Sequence, residues 1–469
     1  MAVKKYVKKI ERSTIFVIKL VLFMSLFLLF FGLFAIDNPQ IIGQNRTAAI
    51  TMTTFVILGI SMTAVYGGFA VGKKKSKEII PPLSIAVFIT DFVTYFQLCI
   101  MNVNRYNEAT LTFQNVGIFF LVFLLQIVVI SLFVYFGNYV YFKLNPPENC
   151  IIICTEISKA SEILPKIGRY KKQYKITDII TYKNEDMKKL IRNSDSVFIY
   201  DVPAEFRSDM IDYAYKHFTN IYLTTELSDV VINYAKPIVI DDLSMLSSNI
   251  KELSFEQKFI KRTLDIVISG LAIIIFSPIM LIEAICIKAY DKGPVFFKQQ
   301  RATLHEKLFD VLKFRTMVVD ADKIEGYHPA TNKDDRITPI GKVLRKLRID
   351  ELPQLFNILV GDMSIVGPRP ERIEHVEMYT HDLPEFKYRL RAKAGLTGLA
   401  QIAGKYNTSP KDKLILDLMY IEKYSVWMDI MLMFQTVGVF FKSDSTEGFS
   451  DEKMVDFVKH QTKKDNVKK

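Results

Sequence analysis

Four long apolar stretches dominate the first third of the chain. Each approaches or exceeds the roughly 20 residues that a helix needs to cross a bilayer. The first stretch is too long for the core of a signal peptide, and no small-residue cleavage site closes it. The pattern predicts a four-helix transmembrane bundle over residues 1–145, with spans at about Thr14–Ile36, Ala48–Val71, Pro81–Met101 and Val116–Phe142.

Basic residues flank these spans unevenly. The first and third connections hold only Arg46 and Arg105, whereas the other flanks are rich in lysine. By the positive-inside rule, both ends of the bundle face the cytoplasm, and the chain after Lys143 starts there. Asp91, inside the third span, is either a functional carboxylate or a polar group facing the bundle interior, and we favour the second. The basic flanks are Lys4, Lys5, Lys8, Lys9 and Arg12 before the first span, and Lys73, Lys74, Lys75 and Lys77 after the second.

A different pattern follows Asn145-Pro146-Pro147, where short apolar runs alternate with amphipathic stretches. It predicts a Rossmann-like, doubly wound α/β module over residues 146–242. No glycine follows the first strand in Thr155–Lys159, so the backbone cannot approach a pyrophosphate closely. We therefore expect a regulatory or assembly module, followed by a polar linker over 243–258. The predicted parallel strands are Cys150–Cys154, Ile176–Thr181, Ser196–Tyr200, Ile221–Thr224 and Ile238–Ile240.

A fifth hydrophobic segment, Leu264–Ala289, opens the last domain, which we place at residues 259–442 ahead of a polar tail at 443–469. Ser277-Pro278 stands at its centre, where proline kinks a helix and serine can bond a freed carbonyl. A straight span, a kinked span and a re-entrant hairpin all fit the length. Basic residues on both sides favour the hairpin, with both ends cytoplasmic. They are Lys258, Lys261 and Arg262 before the segment, and Lys288, Lys292 and Lys298 after it.

Composition adds little to this picture. The formal charge of +11 over 469 residues fits nucleic acid, an anionic membrane surface or phosphorylated substrates equally well. The long apolar stretches favour a membrane protein among these alternatives. Four cysteines lie in apolar runs without CxxC spacing, which predicts buried, reduced side chains rather than disulfides or zinc ligands. They are Cys99, Cys150, Cys154 and Cys286.

An Asp-Glu pair stands in the most distinctive region of the chain. Asp350 and Glu351 precede Pro353, a residue that favours the first turn of a helix. A helix N-terminus stabilises a carboxylate or a phosphate. On spacing alone, a plain N-cap aspartate with a solvated glutamate is the simpler interpretation. The surrounding arginines favour a site that binds a diphosphate in bidentate fashion. They are Arg345, Arg348, Arg369 and Arg372.

Two further basic elements accompany the pair. In Pro368-Arg369-Pro370 the prolines fix the backbone so that the guanidinium is held in place, although a rigid turn with an exposed arginine is the alternative. Lys313 and Arg315 are two positions apart and would share a face of a strand. Phosphate contact and a surface salt bridge remain equally open for both residues.

The order of these motifs resembles the catalytic domain of bacterial sugar transferases, the monotopic polyprenyl-phosphate glycosyl-1-phosphate transferases. The resemblance covers about Lys261 to Lys442, and the upstream spans and module resemble the larger members. It implies an α/β catalytic domain anchored by a re-entrant membrane helix that breaks at Ser277 and Pro278. The motifs are Phe297–Arg301, Lys313–Met317, Ile340–Leu355, Gly361–Arg372 and Ala394–Gly398.

The resemblance also implies a reaction. Asp350 would attack the sugar-bearing phosphorus of a UDP-sugar, and UMP would leave. Undecaprenyl phosphate would then take the phospho-sugar in a ping-pong second step, the first membrane step of capsule, exopolysaccharide or O-antigen synthesis. Glu351, with Asp350, would position Mg²⁺, and Glu351 would deprotonate or orient the incoming phosphate. The implied phosphate and nucleotide contacts are Arg345, Arg348, Pro368, Arg369, Pro370, Arg372, Lys313, Arg315 and Arg301.

The implied location is the bacterial inner membrane, with the catalytic domain on its cytoplasmic face. The donor sugar cannot be read, and UDP-glucose and UDP-galactose come before an N-acetylated UDP-sugar. The bundle and the module are the parts that would build a homodimer. Two other classes compete: a non-catalytic membrane scaffold, and a nucleic-acid-binding membrane protein. No aromatic-basic platform supports the latter, so we expect no nucleic-acid partner.

Overall fold

The computed structural model describes residues 2–101, 113–248, 252–319, 336–404 and 408–440. The chain divides into two compact units, the first reaching Thr224 and the second beginning at Thr225. The predicted polar tail at 443–469 lies outside the described residues.

The first unit begins with four long helices, all apolar enough to cross a membrane, which confirms the predicted apolar helices. The first packs against the fourth, the fourth against the third, and the third against the second. Asp91 is fully buried among them, and its Oδ1 lies 3.4 Å from Nε2 of Gln126, so it faces the interior as expected. The helices are α1 (Ala2–Asp37), α2 (Arg46–Val65), α3 (Ser76–Ile100) and α4 (Val116–Leu144).

A four-stranded parallel sheet completes the first unit, with the strand order β2-β1-β3-β4. Ile151 and Ile153 pack on one face of the sheet, and Ile152 and Cys154 on the other. Burial on both faces is typical of parallel strands that helices cover. The elements are β1 (Glu148–Cys154), α5 (Ala160–Gly168), β2 (Tyr174–Thr181), α6 (Met187–Asn193), β3 (Ser196–Tyr200), α7 (Ala204–Lys216) and β4 (Asn220–Leu223).

The prediction of a fifth parallel strand is wrong. Ile238–Ile240 belongs to β5 (Lys236–Ile240), which pairs antiparallel with β6 (Leu243–Ser247) and is exposed. The polar linker predicted at 243–258 therefore begins with a strand. Asp241 adopts φ 58°, a conformation that a two-residue hairpin turn requires and that reverses the chain here. A three-residue apolar run cannot reveal such a reversal.

The cysteine prediction holds only in part. Cys150 and Cys154 are buried in β1, but Cys99 is half-buried and Cys286 is exposed. Cys286 lies on the outward face of an apolar helix, so an apolar neighbourhood in sequence did not mean burial. All four thiols are free.

The second unit contains a large apolar core and a smaller cluster between α9, β8 and α10. The centre of the large core contains Ile358, Met363, Val366, Phe386 and Leu432, all fully buried. Strands β9 and β10 run parallel in this core, and β7 pairs antiparallel with β8. Besides β5 and β6, the elements are α8 (Leu227–Asn233), α9 (Phe255–Asp291), β7 (Phe296–Ala302), β8 (Leu308–Phe314), α10 (Pro339–Leu347), α11 (Gln354–Val360), β9 (Ser364–Val366), α12 (Ile373–Asp382), β10 (Gly395–Thr397), α13 (Leu399–Ala403), α14 (Pro410–Glu422) and α15 (Val426–Phe440).

Helix α9 carries the fifth hydrophobic segment and is also long and apolar enough to cross a membrane. It continues through Pro278 rather than ending there. The hydroxyl of Ser277 donates to the carbonyl of Ile274 at 2.8 Å, and this is the carbonyl that the proline deprives of its helical N–H partner. The predicted serine contact is therefore present, but the chain remains helical across it.

Close backbone contact joins β9 to β10. A Cβ on Gly395 would lie 2.1 Å from the nitrogen of Gly367, and a Cβ on Gly367 would lie 2.2 Å from the carbonyl oxygen of Lys393. Only glycine permits this approach, and it brings the segment after β9 against the core.

We expect Gly395→Ala to lower the free energy of unfolding by about 1–3 kcal/mol, because the added methyl group would force the strands apart. Gly270→Ala is the matched control, since nothing lies within 4 Å of a Cβ at that helical position. Thermal unfolding of the detergent-purified chain measures both. Equal midpoints for Gly395→Ala and the unmodified protein would contradict this explanation of the β9–β10 contact.

Candidate active site

The Asp-Glu pair lies in a 3-10 turn, Ile349–Glu351, between α10 and α11. Arg348 ends α10 in the left-handed conformation with φ 56°, which redirects the chain into this turn. Pro353 is the N-cap of α11 rather than a residue of its first turn, so that part of the prediction is wrong. The carboxylates therefore precede the helix, and neighbouring side chains decide their electrostatics.

Glu351 is the most tightly held residue of the site. Its Oε1 accepts hydrogen bonds from Nζ of Lys313 at 2.7 Å and from Nη2 of Arg369 at 2.8 Å. Lys313 lies on β8, and Arg369 lies in the segment after β9. The side chains of Glu351 and Lys313 are only 20% and 22% exposed, so their charge-assisted bond is little screened by water, whereas Arg369 is 44% exposed. One carboxylate oxygen thus joins three separate parts of the chain.

The two neighbouring carboxyl groups differ in acidity. Burial raises the pKa of Asp350 and the charge of Glu351 raises it further, although Lys313 and Arg345 oppose both effects. Burial also raises the pKa of Glu351, but Arg369 and Lys313 outweigh it and hold that pKa well below its usual range. Paired carboxyl groups pushed in opposite directions are typical of sites with a chemical role. Asp350 is the more basic of the two, while Glu351 remains ionised.

Arg345 stands beside Asp350. Its Nε donates to the hydroxyl of Thr316 at 2.8 Å, and its positive charge acts on Asp350. Arg348 is exposed next to the Asp-Glu pair. Arg372 precedes α12, and its backbone forms an isolated antiparallel β-bridge with Arg301. The structure therefore brings Lys313, Arg345 and Arg369 together around the dyad, as predicted for a phosphate site.

Two predicted arginines have protein partners instead. Arg315 forms a two-point ion pair with Asp291 at 2.5 and 2.6 Å and also donates to the carbonyl of Pro294 at 2.6 Å. This is the salt-bridge alternative, in which Arg315 is buried and Asp291 is partly exposed. Arg301 donates to the carbonyl of Pro370 at 3.3 Å and to Gln299 at 2.5 Å. Arg301 therefore stabilises the Pro-Arg-Pro segment through the carbonyl of Pro370.

Glu283 is a residue that the sequence reasoning missed. It lies on α9 and is 4% exposed, and neither carboxyl oxygen has a hydrogen-bond partner among the described residues. The neighbouring helix positions Met280 and Ile287 pack with Phe314 and Leu344, and the charge of Asp350 reaches Glu283. An acid in the interior of an apolar run is a known sign of function in membrane helices and was the available signal.

The dyad is also the candidate metal site. Across residues 2–101, 113–248, 252–319, 336–404 and 408–440, no group of three or more His, Cys, Asp or Glu side chains is arranged to hold a metal ion. Any cation at Asp350 and Glu351 would need further oxygen ligands from a substrate.

Comparison with known proteins places this site in a family. The family model described as bacterial sugar transferase matches residues 256–443. A UDP-N-acetylgalactosamine-undecaprenyl-phosphate N-acetylgalactosaminephosphotransferase from Aeromonas hydrophila is 42% identical over 182 residues, which are 38% of this chain and 43% of the relative. A UDP-glucose:undecaprenyl-phosphate glucose-1-phosphate transferase from Klebsiella pneumoniae is 43% identical over 184 residues, 38% of this chain and 39% of the relative.

A shorter relative is covered more fully. The UDP-glucose:undecaprenyl-phosphate glucose-1-phosphate transferase of Caulobacter vibrioides is 39% identical over 190 residues, 39% of this chain and 71% of the relative. With the dyad, the arginines and the glycine contacts in place, the chain belongs to the bacterial sugar transferase family. It spans about two fifths of the Aeromonas and Klebsiella relatives, 43% and 39% of their lengths.

We expect Lys313→Met to lower kcat/KM for sugar transfer by about 10²-fold, because it removes a charged donor from the site. The remaining activity should also need a higher pH, since Lys313 lowers the pKa of Asp350 and its loss lets that pKa rise. The pH profile of kcat/KM measures the position of this acid limb.

Lys307→Met is the matched control for this substitution. Its ammonium is 69% exposed and lies 3.7 Å from Asp362, so its loss should change neither the rate nor the profile. An acid limb in Lys313→Met that stays in place, or moves to lower pH, would contradict the assigned electrostatics.

Proposed function

We propose that the protein transfers a hexose-1-phosphate from a UDP-sugar to undecaprenyl phosphate and releases UMP. The observation that carries the proposal is the dyad: a carboxyl group of raised pKa next to one held ionised by Lys313 and Arg369. The relatives carry names for this reaction class, with N-acetylgalactosamine in the Aeromonas protein and glucose in the Klebsiella and Caulobacter proteins.

In the first step, a carboxylate oxygen of Asp350 bonds to the phosphorus that carries the sugar. The bond from that phosphorus to the bridging oxygen breaks, and UMP leaves with the electron pair. A phospho-sugar aspartyl intermediate remains. Covalent catalysis of this kind divides one difficult displacement into two easier ones. The raised pKa of Asp350 supports the role, because a more basic carboxylate is a better nucleophile.

In the second step, a phosphate oxygen of the polyprenyl phosphate bonds to the same phosphorus. The bond between that phosphorus and Asp350 breaks, and the carboxylate is regenerated. The two half-reactions give ping-pong kinetics. Arg345 and Arg369 stand where they can neutralise charge on the transferring group in both steps, since each acts electrostatically on the dyad.

Mg²⁺ fits this donor set. It is usually bound by one or two carboxylates and by substrate phosphates rather than by a protein cage. Asp350 and Glu351 would supply those carboxylates, and Oε1 of Glu351 is already oriented by Lys313 and Arg369. When bound, the ion would offset the negative charge of the diphosphate and polarise the bond that breaks.

The contacts of α9 support a re-entrant arrangement. Near its start, Lys261 pairs with Asp429 at 2.7 Å and Asp265 accepts from Ser364 at 3.0 Å. At its end, Asp291 pairs with Arg315. One folded domain thus holds both ends of the helix, which a membrane crossing would separate by the bilayer. The opposite face is apolar and exposed, and it would contact lipid at Leu271, Ile274, Ile275, Ile282 and Ile285.

The cellular setting follows from this reaction. Nucleotide sugars are made in the cytoplasm, so the catalytic domain would lie on the cytoplasmic face of the inner membrane. The reaction would be the first membrane step of capsule, exopolysaccharide or O-antigen synthesis. We expect UDP-glucose or UDP-galactose as the donor before an N-acetylated UDP-sugar. Because the name of the Aeromonas relative contains UDP-N-acetylgalactosamine, the panel of donors to be tested includes N-acetylated sugars.

The purified protein with undecaprenyl phosphate and Mg²⁺ should release UMP from at least one member of a UDP-sugar panel. Asp350→Asn should lower that rate by about 10⁴-fold or more, because the amide cannot form the covalent intermediate. The readout is UMP release per enzyme, with Asp310→Asn on β8 as the matched control. The absence of UMP from every donor, or full activity in Asp350→Asn, would contradict the proposed function.

Single cysteines at positions 258 and 292 test the re-entrant helix in a background without the four native cysteines. An impermeant maleimide should label neither position in spheroplasts and should label both after the membrane is permeabilised. A single cysteine at position 46, in a connection expected outside, is the positive control. Labelling of 258 and 292 from opposite sides would mean that α9 crosses the membrane.

A further inference from the structure

We propose that the buried ion pair of Arg389 and Asp417 positions Arg369 for catalysis. The inference rests on the function proposed above and adds two residues to its machinery. Both act through Arg369 rather than on the substrate, so they are positioning residues. They come from separate parts of the chain, the 3-10 segment Pro384–Arg391 and helix α14.

The geometry joins these residues to the backbone of Arg369. Nη2 of Arg389 donates to the carbonyl oxygen of Arg369 at 2.9 Å and lies 2.8 Å from Oδ2 of Asp417. Arg389 is 3% exposed and Asp417 is 1% exposed. The ring of Phe386 lies 4.9 Å from the guanidinium carbon, which fixes its plane. The arginine therefore has little freedom, and the carbonyl that it holds belongs to the residue that binds Glu351.

The Pro-Arg-Pro segment needs such support, because its two prolines have no N–H and the segment therefore has fewer backbone hydrogen bonds available to fix it. Each carbonyl has a different donor. The nitrogen of Gly395 donates to Pro368 at 2.9 Å, Arg389 donates to Arg369, and Arg301 donates to Pro370 at 3.3 Å. Arg389 is the donor for the central residue, whose side chain reaches the dyad.

One side of this segment lines a shallow depression that opens to solvent, together with Glu371 and Arg389. The hydrogen bond from the buried Arg389 holds the carbonyl of Arg369 from the protein side. A displacement of about 1 Å in a positioning group can cost as much as 10²-fold in rate.

Asp417 is the nearer of two counter-charges for a buried arginine that would be unstable without one: its Oδ2 lies 2.8 Å from Nη2 of Arg389, whereas Oε1 of Glu371 lies 3.6 Å from Nη1. Burial raises the pKa of Asp417 to about 6 against the opposing charge of Arg389, so its ionised form is held at a cost to stability. Glu371 and Lys413 are the other charged groups that act on it. Buried ion pairs contribute little net stability, and a role in holding Arg369 explains why this one is present.

The test is a double-mutant cycle on UMP release. Asp417→Asn keeps the side-chain shape and removes the charge, so it should lower kcat about 10–100-fold with a smaller change in KM for the UDP-sugar. Arg369→Ala should be slower still. In the Arg369→Ala background, Asp417→Asn should cost nothing more, because its effect passes through the missing side chain.

Lys387→Met is the matched control on the same 3-10 segment. Its ammonium is 46% exposed and pairs with Glu306 at 3.2 Å, so kcat should not change. If Asp417→Asn does not yield folded protein, Arg389→Lys carries the same test, since it keeps the charge and loses the branched donor. Thermal unfolding confirms that the compared variants are folded.

Two results would overturn the inference. One is unchanged kcat in the folded Asp417→Asn or Arg389→Lys variant. The other is a loss of the same size in the Arg369→Ala background as in the unmodified protein, which would mean a general structural role. The absence of UMP release from the unmodified protein would instead defeat the proposed function, so the two failures are distinguishable.

Discussion

The site depends on one carboxylate oxygen that two cations share. Oε1 of Glu351 binds Lys313 from β8 and Arg369 from the segment after β9. This shared anion draws three distant parts of the chain to one point. The two cations in turn keep Glu351 ionised despite its burial. Asp350, next to it, is left as the more basic carboxyl group. The difference between two adjacent acids is therefore produced by their neighbours, not by their residue types.

The surrounding fold holds these three parts in place. The glycines at 367 and 395 let β9 approach β10, so that the Pro-Arg-Pro segment starts from a fixed backbone. Helix α9 contacts the same domain near its start and in its last turn, and its other face is apolar. The domain thus presents a charged site and an apolar surface together, which the proposed transfer of a sugar phosphate to a lipid phosphate would require.

Much of the fold was predictable because long apolar runs and two-sided strand burial are local patterns. The four N-terminal helices and β1 to β4 followed from them. Ile238–Ile240 was misassigned because a left-handed turn at Asp241, not its own sequence, sets its pairing. In the candidate site, the motifs predicted Asp350, Glu351, Lys313 and Arg369, and the structure brings these four residues together. Arg389 and Asp417 were not, because their partners lie 20 residues or more away and only burial reveals the pair.

The proposed mechanism requires a covalent bond between Asp350 and phosphorus. Brief reaction of the enzyme with a UDP-sugar labelled in its sugar-bearing phosphate, followed by a quench and peptide mapping, would detect that bond. We expect labelled peptide containing Asp350, and release of that label as lipid-linked product when undecaprenyl phosphate is added before the quench. Turnover of the same preparation without any label on this peptide at any time would rule out the aspartyl intermediate.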